Sequence, residues 1–134
     1  MAISNYLNNK LLDHTLKNTA YTSPTTVYIG LYTANDGSTG EPNFTGTAGN
    51  TGVSGNGYSR QAVTFGSSAS GVIANTGTVT FTASGGDFGR VISSAISDAS
   101  SAGNILFYDS FVVNIVDGDS VVLAAGDISI GLPS

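Results

Sequence analysis

The sequence predicts a mainly β domain, an antiparallel β-sandwich or small barrel with one N-terminal α-helix. Three observations predict it. Apolar residues recur at spacings of three and four only near the start. From Pro24 onward they alternate with polar residues. The later apolar runs are short and separated by Gly/Asp turns, with no second helix-length amphipathic segment to support parallel βαβ units.

The helix is predicted over residues 4–17. Ser4 is the N-cap, because its hydroxyl can accept from a free first-turn amide. Ile3, Leu7, Leu11 and His14 form the stripe, which Tyr6, Leu12 and Leu16 widen. Lys17 lies at the negative helix end, and Asn18 is a tolerable stop. Leu7 stands where a capping box would need Glu.

A strand follows over 26–34, with Val27, Ile29 and Leu31 on one face. Tyr28 and Tyr32 fall on the other face, which reads as an aromatic outer surface. Residues 36–57 break the pattern. They hold seven glycines, and Phe44 and Val53 are their only large apolar residues. Too little apolar surface is present for this stretch to order itself. Two outcomes stand open for it: a mobile surface loop, or an arm that orders against a partner. From 58 to 134 the expected strands are Ser59–Phe65, Val72–Ile73, Thr76–Ala83, Gly89–Asp98, Asn104–Tyr108, Phe111–Val116, Ser120–Ala125 and Ile128–Leu132. Asp117-Gly118-Asp119 is a strong turn signal between two of them. At 134 residues the whole chain, 1–134, fits a single domain.

Composition narrows the function. Lys10, Lys17, Arg60 and Arg90 are the only strong cations, against nine carboxylates. They form no cationic stripe, which predicts no nucleic-acid binding and no anionic-membrane partner. Met1 to Asn9 is polar, which predicts no secretory signal, and the sequon at Asn43 is read as chance. Only 10% of residues are charged, so copies repel one another little. That suits a protein packed against others.

Catalytic chemistry is expected to be absent. Without cysteine, thiolate metal sites and cysteine nucleophiles are excluded. His14 is the only histidine and reads as a half-buried or capping residue. Asp13 beside it points elsewhere on the helix. Asp117 and Asp119, with Asp109 or Asp127, lack the spacing of a calcium loop. Glu41 has no partner carboxylate for glycoside hydrolysis. Gly52 to Gly57 lacks the Gly-Lys-Ser/Thr of a phosphate loop. No cofactor is expected.

Interface candidates come from side-chain chemistry and from reach. Tyr28, Tyr32 and Tyr58 offer rigid apolar area with a hydroxyl, for a protein contact or a sugar-stacking platform. Cross-strand support of the sheet is the simpler role for each. Arg60, between Tyr58 and Gln61 in an uncharged stretch, is an anchor candidate, or else half of a local ion pair. Tyr6, Leu7, Lys10 and Leu11 on the helix and Phe44 in the Gly-rich stretch complete the set.

Two segments are familiar together. Tyr6-Leu7-Asn8-Asn9-Lys10-Leu11-Leu12-Asp13-His14 and Gly57-Tyr58-Ser59-Arg60-Gln61-Ala62-Val63-Thr64-Phe65 resemble a family of small tailed-phage proteins, commonly labelled tail-fibre or minor structural proteins. The likeness continues through Tyr21–Pro24, Val27–Tyr32, Gly118-Asp119 and Ala124–Asp127. The 36–57 stretch departs from it by looking extended. The resemblance implies a structural role in the virion, after assembly in the host bacterial cytoplasm, and brings no catalytic residues. Two placements compete. A capsid decoration, or cement, protein would sit at threefold positions as a homotrimer and bind the major capsid protein or other virion proteins. A tail-fibre or receptor-binding module would present loops or tyrosines to a host glycan. The short chain without a repeat favours cement, with the helix and the 36–57 stretch as reaching arms.

Overall fold

A computed structural model describes residues 1–33, 53 and 55–132. The expectations for most of 36–57, including Phe44, Glu41 and Asn43, lie outside the described residues. The chain opens on a two-residue strand, β1 (Ala2–Ile3), and turns at once into α1 (Asn5–Leu16). Ser4 is the N-cap in an extended conformation, and its Oγ accepts from the Leu7 amide. The helix stops at Lys17, where Asn18 takes a φ of 56° and the Thr19 amide reaches back to the Asp13 carbonyl.

Among the described residues eight further strands follow: β2 (Val27–Tyr32), β3 (Gln61–Val63), β4 (Val72–Ala74), β5 (Val79–Thr82), β6 (Gly89–Ser97), β7 (Ile105–Ile115), β8 (Ser120–Leu123) and β9 (Ser129–Gly131). All pairings are antiparallel. One sheet has the order β1-β7-β6-β2-β3, and two ribbons, β4–β9 and β5–β8, accompany it. Val79 and Phe81 of one ribbon and Ile130 of the other pack against Ile29, Leu31, Val91, Ile96 and Ile115 of the sheet. The protein is thus mainly β and layered, and its sheet does not close into a barrel.

Two expectations about strands change. Asn104–Tyr108 and Phe111–Val116 are one strand, β7. Asp109 and Ser110 read as a break, yet they pair with Ser94 and Ser93 of β6. The register slips twice along this pair, between Val91 and Ser93 and between Ile96 and Ser97, each time with one more residue on β7. Such bulges bend a long strand and let it carry polar residues inside a continuous ladder. Leu106, extra at the second slip, turns its carbonyl to the Ser4 amide at 2.9 Å. The second change is β1 itself, too short to leave a periodic signal. It covers only Phe107 and Tyr108 of the β7 edge.

Tyr28 and Tyr32 do lie opposite Ile29 and Leu31 on β2, but that face is not an outer one. Tyr32 is 1% exposed and clusters with Ala95, Ile105 and Tyr108. Alternation separates two faces; it does not say which of them is covered.

Candidate functional site

The Gly57–Phe65 segment holds two of the interface candidates, Tyr58 and Arg60. Its approach is a tight turn in which Gly55, Asn56 and Gly57 all take left-handed φ angles and Tyr58 donates its amide to the Gly55 carbonyl. Tyr58 then points inward. Its ring stacks on Phe81, with centroids 5.9 Å apart, and meets Phe88 edge-on at 5.6 Å. Its hydroxyl accepts from the Leu31 amide at 2.9 Å, just past the point where β3 stops pairing with β2. The adjacent Leu31 carbonyl accepts from Val53. Tyr58 and Val53 therefore complete the β2 edge in place of a longer β3. Burial pushes the Tyr58 hydroxyl up to about 12, although the Leu31 amide pulls it back.

Arg60 also works inside the chain. Its guanidinium donates to the carbonyls of Ala99 and Ala102, both at 2.8 Å, and so holds the β6–β7 turn. That turn needs holding, since Ala102 and Gly103 are both left-handed. Asp98 helps by accepting from the Asn104 amide and side chain. The Arg60 stem crosses Gly30, where a Cβ would lie 3.1 Å from the Tyr58 hydroxyl and 3.3 Å from Arg60 Cγ. Gly30 is thus a mid-strand glycine at a close approach, where any side chain would push Tyr58 and Arg60 aside by a few tenths of an ångström. Burial raises the Tyr32 hydroxyl above its usual range, and neighbouring Arg60 and Ser97 oppose the rise.

The N-terminal motif has a similar internal logic. Ser4 is fully buried and donates its hydroxyl to the Ile105 carbonyl at 2.6 Å while capping the helix. Leu7 is buried, so it anchors the helix rather than meeting a partner. Leu11 and Tyr6 are half-buried, and exposed Lys10 holds its Nζ 5.7 Å from the Tyr6 ring centre. His14 is exposed and not half-buried; its Nδ1 accepts from the Tyr21 amide and ties down the chain after the helix. Tyr21 is raised above its usual value by burial and by Tyr6 and Asp98 beside it.

The acidic turns are built by their own carboxylates. Asp119 accepts from Val116, Asp117 from Gly85, Asp87 from Asp117, and Asp127 from Ala124. One residue of this kind escaped sequence reasoning altogether. Asn75, 3% exposed, accepts from Gly126 and Ile128 and donates to Gly77 and Ala124. It joins β4 to the β8–β9 turn. A lone Asn in a polar stretch carries no pattern that would mark it.

Of the nine interface candidates, Tyr32, Leu7, Tyr58 and Arg60 serve the interior, Tyr6, Leu11 and Tyr28 are half-buried, Lys10 is exposed and Phe44 is not described. Exposed large apolar residues appear elsewhere, at Leu12, Leu16, Val112, Val116, Val122 and Leu132 among others. Among the described residues no helix is long and apolar enough to cross a membrane.

Among the described residues this is an antiparallel β fold that holds its turns and the β2 edge with its own polar side chains and leaves several large apolar residues exposed. Its family is more particular: the family of the podophage GP4 fiber I protein gp80 matches residues 2–131, and the chain belongs to it. No curated protein matches the chain.

Proposed function

We propose that this chain is a structural component of a phage tail fibre and acts through protein contacts, not catalysis. The observation that carries this proposal is the match of residues 2–131 to a podophage fibre family. That match supports the tail placement over the shell placement that chain length alone favoured. It also supports association with the virion. The short β domain suits one building block of a larger fibre, with length supplied by other copies or other chains.

A host-glycan platform made of Tyr28, Tyr32 and Tyr58 draws no support from their positions, because Tyr32 is buried and the Tyr58 hydroxyl is engaged. Cryo-electron microscopy of particles carrying a small tag on this chain tests the placement. Tag density on the tail is expected. Density confined to the capsid shell would overturn the fibre assignment and restore the cement role.

A further inference from the structure

The helix carries apolar residues on two opposite sides. Leu7 faces the protein and is 6% exposed. Leu16 lies nine residues on, and at about 100° per residue that is half a turn round the axis. It is 82% exposed, and Leu12, one turn before it, is 51% exposed. Both lysines of the chain, Lys10 and Lys17, belong to this helical segment, where Asp13 is the only carboxylate. The helix therefore presents an outward leucine in a cationic setting.

A complementary recess lies between the sheet and the ribbons. Its volume is about 160 Å³, and half-buried Met1, Phe111 and Leu123 line its apolar part above the core residues Ile29, Leu31 and Ile128. Asp109 and Asp127 stand on it as well. Asp109 is 58% exposed and 4.0 Å from the Met1 amine, while Asp127 spends one oxygen on the Ala124 amide. A cavity of about 150 Å³ with apolar walls accepts benzene, so the smaller isobutyl group of leucine fits a space of this size.

We propose that copies of this chain associate by seating Leu16 of one in this recess of the next, with Lys17 facing Asp109 and Asp127. A knob and a hole at different places on one surface make a heterologous contact, which joins copies one after another unless the rotation closes a ring. The charges select this occupant: two carboxylates against the single Met1 amine leave the recess net negative, which disfavours an anionic ligand, and the knob arrives with a cation beside it. This goes beyond placement in the tail, since it names which surfaces meet.

The test uses the purified full chain in light scattering over a range of concentration. Wild-type protein is expected to associate, and less so in high salt. Leu16→Asp should weaken association about tenfold or more, from the loss of one buried leucine. Ser110→Trp, at the exposed mouth of the recess, should do the same by filling it. Circular dichroism is expected to show both variants folded. Mixed together, the two should associate more tightly than either does alone, because one keeps the hole and the other the knob. A monomeric wild type, undiminished association of Leu16→Asp, or failure of the mixture to pair would each overturn the proposal. None of these outcomes bears on where a tag appears on the particle, so the two proposals fail separately.

Discussion

The Tyr58–Arg60 segment and the N-terminal helix make opposite uses of their side chains. Tyrosine and arginine are favoured at interfaces, yet here they finish the β2 edge and hold the β6–β7 turn. Leucine is favoured in cores, yet Leu12 and Leu16 stand outside. The difference follows from what each element lacks. A sheet with a three-residue edge strand leaves backbone groups that need long polar side chains to satisfy them. A helix caps itself through Ser4 and needs only one apolar stripe against the protein, so its second stripe is available for contact.

Substitutions can break this contrast. The largest effect is expected at Tyr58. Tyr58→Ala removes the ring from between Phe81 and Phe88 and the acceptor from Leu31, and should cost about 3–5 kcal/mol in urea unfolding. A loss below about 1 kcal/mol would mean that the segment is an outer feature after all. Asn75→Ala comes next, at about 2–4 kcal/mol, because the Ile128 amide loses its acceptor and two donated bonds disappear. It tests whether interior polar ties matter as much as the aromatic one.

Alkaline titration sharpens the contrast further. A tyrosine hydroxyl becomes charged on losing its proton, and the folded state holds the Tyr58 proton more tightly than the unfolded chain, about 12 against 10.0. The resulting stability is fully present below pH 10 and is lost as pH rises through about 12, up to about 3 kcal/mol. Tyr58→Phe should flatten most of that slope, leaving the smaller shares due to Tyr32 and Tyr21. At neutral pH it should cost about 1–3 kcal/mol for the orphaned Leu31 amide. The smallest effect belongs to the helix exterior: Leu16→Ser should shift unfolding by less than about 0.5 kcal/mol. A larger loss there would place Leu16 in the fold rather than in a contact.

Much of the architecture was legible from local pattern. The helix and its ends followed from Ser4, the leucine spacing and Asn18, because capping and periodicity are local physics. The β2 alternation likewise separated Ile29 and Leu31 from the tyrosines. What escaped depends on partners distant in sequence. Asp109-Ser110 reads as a break between two apolar runs because nothing local shows Ser93 and Ser94 waiting across the ladder. Arg60 stands out in an uncharged stretch, but its partners lie about 40 residues on, and they are carbonyls, which every residue has. Sequence spacing places the outward Leu16 in the single widened stripe, since helical spacing fixes relative angles and not which side meets the protein.

The uneven edge of β7 has one more consequence. Beyond Tyr108 that edge runs without cover from β1, and residues 110–116 carry no charge. Long neutral edges invite strand addition by identical neighbours. Here Asp109 and Asp117 bracket the run, and two such edges aligned head to foot about Val113 would set Asp109 of each against Asp117 of the other. Like charges directly opposed disfavour that alignment. Carboxylates placed on either side of a neutral run act as gatekeepers against runaway strand addition.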